Sequence, residues 1–211
     1  MPKIIRITCV GDSITQGLGA SDINFSYPSQ LQKLLGEKYK VLNFGLSGAT
    51  VIKSCYMNYI SKSICQKGLE SKPDIVIILL GTNDLIFGEE LKTEEGQKTF
   101  SNDYESLIKA YQKCGTNPTI MICSLLYRVL GEVDKLQNPI IKNLSKLHNL
   151  IYLDLFTYSN SWSENEYLDG LHPTDSGYNK LAKFFANAIK DILVVLRDIS
   201  KKIKIIVLFQ N

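Results

Sequence analysis

The chain has 211 residues with 24 basic and 21 acidic side chains, a formal net charge of +3, and 45% hydrophobic against 21% charged residues. Those proportions exclude a disordered, collagen-like or low-complexity chain. A chain this long buries about 70% of its unfolded surface, so one domain can hold without disulfides or metal. The basic residues are dispersed apart from Lys201, Lys202 and Lys204, which leaves no nucleic-acid footprint.

The first apolar run, Ile4–Val10, is near-continuous rather than alternating and reads as a strand buried on both faces. It is too short for a signal h-region and leads straight into Gly11-Asp12-Ser13-Ile14-Thr15. Tyr27–Leu35 reads as a helix on Leu31, Leu34 and Leu35, with Pro28 at its first turn. Lys40–Phe44 is a second strand, followed by Gly45-Leu46-Ser47-Gly48. Residues 51–69 read as a helix with irregular flanks. The third strand, Ile75–Leu80, runs into Gly81-Thr82-Asn83-Asp84. Phe100–Cys114 carries the helical stripe Phe100, Tyr104, Leu107, Ile108 and Tyr111, with Ser101 or Asn102 as a cap.

Thr119–Leu125 is the fourth strand, and Gln137–His148 a helix on Ile140, Ile141, Leu144 and Leu147. Leu150–Leu155 is the fifth strand and leads through a longer loop to Asp169-Gly170-Leu171-His172-Pro173. The last helix carries Tyr178, Leu181, Phe184, Phe185, Ala188, Ile189, Ile192, Leu193 and Leu196, and is expected to end near Arg197 to Ser200. This divides the chain into a domain over 1–200 and an appendage over 201–211. The appendage has three open fates: packing back on the domain, pairing a second copy into an oligomer, or remaining a disordered end. It is far too short to span a bilayer, so no stable membrane insertion is expected.

Strands alternating with helices predict an α/β chain, a three-layer α/β/α sandwich of right-handed βαβ units. In such a sheet ligands bind at the carboxyl ends of the strands. Four polar, glycine-containing segments fall there. Taken singly, each reads as a turn or a helix cap. Taken together, four unrelated turns would have to imitate one ordered set.

The set resembles the SGNH, or GDSL-like, hydrolase family over residues from about 4 to 197, closest in look to its carbohydrate or acetyl esterases. The resemblance implies a flavodoxin-like five-stranded parallel sheet in the order 2-1-3-4-5. It implies Ser13 as nucleophile, His172 as general base and Asp169 as its orienting partner. It implies an oxyanion hole made of the Ser13 and Gly48 backbone N–H groups and the Asn83 side-chain amide. The chemistry agrees. A serine hydroxyl needs an adjacent base, imidazole is suited to that work near neutral pH, and the tetrahedral oxyanion needs preorganised donors. Gly48 suits such a donor because it has no Cβ to block close approach. If Leu171 packs inward, one turn brings Asp169 and His172 to the serine.

The implied function is a serine esterase acting through an acyl-enzyme, without a cofactor, on a small-molecule ester, an acetyl ester of a carbohydrate or small alcohol. The alternatives are a lysophospholipase or thioesterase of the same family, or a catalytically silent sugar-binding protein. A nucleotide- or flavin-binding reading fails because Gly17-Leu18-Gly19 lacks the third fingerprint glycine. The walls of the substrate pocket must come from residues 51–65, 86–97 and 126–136, which carry no recognition code. No metal is expected. The chain has two histidines, and its five cysteines, Cys9, Cys55, Cys65, Cys114 and Cys123, include no CxxC pair. His148 ends a helix on the opposite rim and reads as a dipole-capping histidine. The odd cysteine count fits a reduced, cytoplasmic setting, or a secreted one if a leader was trimmed.

Overall fold

The computed structural model describes residues 3–128, 133 and 135–208, with the side chains of 86–88 and 195–208 left out of the description. Five strands, β1 (Ile5–Gly11), β2 (Tyr39–Gly45), β3 (Ile75–Leu79), β4 (Thr119–Cys123) and β5 (Ile151–Leu153), form one sheet in the order β2-β1-β3-β4-β5. Every neighbouring pair is parallel. Every residue of β3 is buried, as a central strand covered by helices on both faces requires.

The helices are α1 (Ser13–Gln16), α2 (Tyr27–Leu35), α3 (Ser63–Glu70), α4 (Gly88–Leu91), α5 (Glu94–Gln112), α6 (Gln137–Leu147), α7 (Leu155–Ser159) and α8 (Asp175–Leu208). On one face α2 packs on α8, where Tyr27 of α2 meets Phe185 of α8 with ring centroids 4.9 Å apart. On the other, α5 packs on α6, and the Tyr111 hydroxyl of α5 closes on Gly68 of α3. The outcome is the three-layer α/β/α sandwich, and its core contains the whole α5 stripe from Phe100 to Tyr111.

Several element ends differ from the sequence reading, each for a local reason. β4 stops at Cys123 because the Leu125 N–H turns to Asn138 Oδ1 at 2.8 Å instead of continuing the ladder. β5 stops at Leu153 because Asp154 caps α7, accepting from Thr157 N at 3.0 Å. In place of one helix over 51–69 there is a single 3-10 turn, Tyr59–Ser61, and then α3. The amides of Val51, Ile52 and Lys53 are taken by the carboxylates of Asp84 and Asp103, which leaves no helical ladder there.

α5 begins at Glu94 rather than near Asn102. Thr93 caps it through Gly96 N at 3.0 Å, and Glu94 and Glu95 occupy its first turn, where acidic side chains favour a helix N-terminus. α8 does not end near Arg197 to Ser200 but continues to Leu208, so one helix crosses the expected boundary at residue 200. Residues 209–211 of the appendage lie outside the described residues. Among the described residues no helix is long and apolar enough to cross a membrane.

Candidate active site

The Ser13 turn is built by the end of β1. Asp12 leaves the strand, is wholly buried, and caps α1 by accepting from Ile14 N at 3.0 Å. Ser13 is therefore the first residue of a helix, where backbone N–H groups lack intrahelical acceptors. Its side chain is nearly buried, at 5% exposure.

On the far side of the sequence, the loop after α7 closes on itself. Tyr167 bridges Pro173, and Leu168 N donates to His172 O at 2.8 Å. Asp169 sits at the tip. Its Oδ1 accepts the N–H groups of Leu171 at 3.0 Å and His172 at 2.8 Å. Its Oδ2 lies 2.7 Å from His172 Nδ1. The other ring nitrogen, Nε2, lies 3.0 Å from Ser13 Oγ. Leu171 is half-buried against the core. One continuous hydrogen-bonded chain thus joins residues separated by 159 positions.

The ring is oriented by that chain. An ionised carboxylate only accepts, so Nδ1 carries the hydrogen and Nε2 offers its lone pair to the Ser13 hydroxyl. Burial raises the Asp169 carboxyl. The N–H and ring bonds from His172 and the N–H of Leu171 outweigh it and hold the carboxyl at about 2.

Two more segments meet the serine turn. Gly48 lies in a turn after β2 with φ +75°, a region that disfavours every other residue type except Asn and Asp. A Cβ placed there would meet only Met57 Cε, at 3.8 Å. Within the protein's own packing the need for glycine is therefore conformational, and the side of Gly48 where a Cβ would stand is open. Asn83 leaves β3 in a 3-10 turn, and its Nδ2 donates to Ala49 O at 3.0 Å, beside Gly48. The structure thus brings Ser13, Asp169 and His172 into one hydrogen-bonded chain and joins the Asn83 and Gly48 segments to each other.

Sequence reasoning weighed Asp12 and Asp84 only as turn or cap residues. Both are wholly buried beside the site. Burial pushes the Asp12 carboxyl up to about 6 and the Asp84 carboxyl up to about 7, and the neighbouring Asp12 charge adds to the rise at Asp84. Their signal was adjacency, since each abuts a predicted site residue in chain order. Gln16 was also missed, and its Oε1 accepts Ser47 N at 2.7 Å. The His172 loop is tied down by Asp175, which takes the Ser21 N–H at 2.8 Å and the Ser21 hydroxyl at 2.6 Å. Tyr178 donates its hydroxyl to Leu18 O at 2.6 Å.

His148 caps α6 away from the site, with Nε2 2.9 Å from Glu105 Oε1. Of the expected pocket walls, residues 51–65 follow the Gly48 turn and residues 86–97 join β3 to α5. In the third wall, residues 129–132 and 134 lie outside the described residues.

Comparison with known proteins follows the same geometry. A family model described as GDSL-like Lipase/Acylhydrolase matches residues 9–180. An acetylxylan esterase of Xylanibacter ruminicola is 32% identical over 213 aligned positions, covering 88% of this chain and 43% of its own length. A family 3 carbohydrate esterase of Clostridium thermocellum superposes with TM-score 0.71 at 23% identity, over 92% of this chain and 99% of that one. A two-domain esterase active on acetylated mannans, co-crystallized with mannopentaose, gives TM-score 0.68 at 20% identity, over 90% of this chain and 51% of that one. This chain therefore spans about half the length, or less, of the acetylxylan and mannan esterases.

Proposed function

This chain belongs to the GDSL-like lipase/acylhydrolase family, and from that premise we propose that it is a serine esterase that removes short acyl groups, acetyl above all, from a carbohydrate or small alcohol. The observation that carries the reading is the unbroken chain Ser13 Oγ, His172 Nε2, His172 Nδ1, Asp169 Oδ2, with links of 3.0 and 2.7 Å.

In this reading the Ser13 oxygen attacks the ester carbonyl carbon while its proton passes to His172 Nε2. Asp169 holds the ring in the required tautomer and stabilises the imidazolium that forms. The carbonyl oxygen becomes an oxyanion and takes hydrogen bonds from Ser13 N–H, Gly48 N–H and the second Nδ2 hydrogen of Asn83, the first being held by Ala49 O. Collapse of the intermediate breaks the C–O bond, and the alkoxide leaves with the proton from Nε2. Water then repeats the sequence on the acyl-Ser13 ester and releases the acid.

The choice of acetyl and carbohydrate rests on the acetylxylan esterase relative. The test is hydrolysis of p-nitrophenyl esters from two to sixteen carbons by wild type and Ser13→Ala. Acetate should be turned over best. Loss of a triad nucleophile should cost on the order of 10⁶ in kcat. A Ser13→Ala variant retaining more than a few per cent of activity would remove Ser13 from the mechanism. Palmitate hydrolysed faster than acetate at matched solubility would favour the long-chain alternative.

A further inference from the structure

The loop that follows Gly48 has one isolated backbone bridge, Thr50 with Asn58, and is otherwise held largely by side chains. Asn83 Nδ2 takes Ala49 O at 3.0 Å. The next residue in sequence, Asp84, takes the amides beyond it. Its Oδ1 accepts Val51 N at 3.0 Å and Ile52 N at 2.9 Å, and its Oδ2 accepts Val51 N at 2.9 Å. Two consecutive residues at the end of β3 thus grip residues 49–52. Between Gly48 and the first amide that Asp84 holds, Val51 N, there are only two peptide units.

Asp84 is wholly buried. A buried carboxyl is costly to desolvate, and an apolar residue of similar volume would fill the same space without that cost. What the carboxyl supplies, and a leucine would not, is a fixed acceptor for two consecutive amides. The loop has other ties. Gln16 Oε1 takes Ser47 N at 2.7 Å, Ala49 N to Leu46 O at 3.0 Å closes the turn, and Thr50 N to Met57 O at 3.1 Å with Tyr59 N to Thr50 O at 2.8 Å joins it to a neighbouring irregular segment. Among the described residues, Asp84 alone takes the amides of Val51 and Ile52. Among the described residues the Gly48 N–H has no protein acceptor, so its direction depends on how the peptides on either side are anchored.

We infer that Asp84 is a positioning residue for the oxyanion hole, anchoring the loop that presents the Gly48 N–H in register with the Asn83 amide. The inference rests on the serine-esterase reading above. Asp84 touches no reacting atom. It acts through Gly48, and through Ala49 on Asn83, and a misplacement of such a donor by about 1 Å can cost up to about 10² in rate.

The experiment uses the full chain, p-nitrophenyl acetate kinetics and inhibition by phenylboronic acid, whose serine adduct is tetrahedral. Asp84→Ala should lower kcat about 10- to 10²-fold with KM within about 3-fold, and weaken the boronate by a similar factor. Asp84→Asn keeps the Oδ1 acceptor but sets an amide N–H against Val51 N–H. It should lose about 3- to 10-fold in the same pattern, and it decides the question if Asp84→Ala does not fold. In an Asn83→Ala background both losses should shrink, because the two residues serve one hole. Equal losses in both backgrounds, a change confined to KM, or unchanged kcat and boronate affinity in both variants would overturn the inference. A wild-type protein inactive on every ester would instead overturn the esterase reading, a result distinct from an active wild type indifferent to Asp84.

Discussion

Asp169 does two jobs that the sequence presents as alternatives. Asp-Gly reads as a turn, and it is one: Oδ1 takes the N–H groups of Leu171 and His172, and Gly170 carries φ +82°. The same turn aims Oδ2 at the imidazole, so the plain reading and the functional one are one structure. Asp12 shows the same doubling, as a helix cap that also sets Ser13 at a helix N-terminus. Its second oxygen is buried with no well-formed hydrogen bond, and burial pushes the carboxyl up to about 6 despite the Thr82 hydroxyl beside it. Free carboxylates titrate near about 3.9. The folded state therefore retains a proton that the unfolded chain releases between about pH 4 and 6. The associated stability is complete below about pH 4 and is lost as pH rises through about 6. Asp12→Asn keeps an acceptor for Ile14 N and has no proton to lose. Relative to wild type, its unfolding free energy should improve between pH 4 and 8 by up to about 3 kcal/mol. Urea denaturation of both proteins across that range measures it. A constant difference would mean that Asp12 ionises in the fold at no cost.

At the scale of elements, strands and helices with strong apolar periodicity were legible, and their ends were not. The buried stripe from Phe100 to Tyr111 announces α5, but the turns before it are polar and were invisible to a hydrophobic pattern; they form because Thr93 caps and two glutamates follow it. Helix α1 has only four residues and no stripe of its own. It exists because tertiary contacts hold it, above all the end of β2. A Cβ at Gly45 would lie 2.1 Å from Gln16 N and 2.6 Å from both Gln16 Cα and Thr15 C. All three atoms are backbone of α1, so no side chain can give way. Gly45→Ala must push the strand end and α1 apart. The expected result is destabilisation beyond the roughly 1–3 kcal/mol of ordinary overpacking, together with a drop in kcat in whatever fraction folds. Thermal unfolding and p-nitrophenyl acetate turnover read the two effects. A wild-type midpoint with wild-type turnover would show that α1 shifts without consequence.

At the scale of the molecule, alternating strands and helices were enough for an α/β sandwich, whereas the order β2-β1-β3-β4-β5 followed from the family resemblance and not from any spacing. Parallel strands paired at long range leave no local trace of which neighbour they choose. The end of the last helix was misread for a different reason. Lys201, Lys202 and Lys204 look like the end of an amphipathic pattern, yet Ile192, Leu196, Ile199, Ile203 and Ile206 recur in the sequence at alternating steps of four and three, the spacing of one helical face. α8 accordingly runs through 200 to Leu208. Among the described side chains of α8, Tyr178, Leu181, Phe185 and Ile189 are wholly buried, and the family match ends at residue 180. The hydrogen-bonded chain from Ser13 ends at His172, with the Asp175 and Tyr178 ties just behind it, well before the helix ends. We therefore predict that a chain ending at Ser200 keeps esterase activity per folded molecule within a few-fold of the full chain. Residues 201–211 carry three lysines and the apolar run Ile205–Phe209, a composition that bears on association, so their removal should change oligomeric state or solubility more than catalysis. Sizing by light scattering alongside the ester assay separates the two. Loss of activity in a truncated chain that remains folded would place the helix end at the active site and move the domain boundary beyond residue 200.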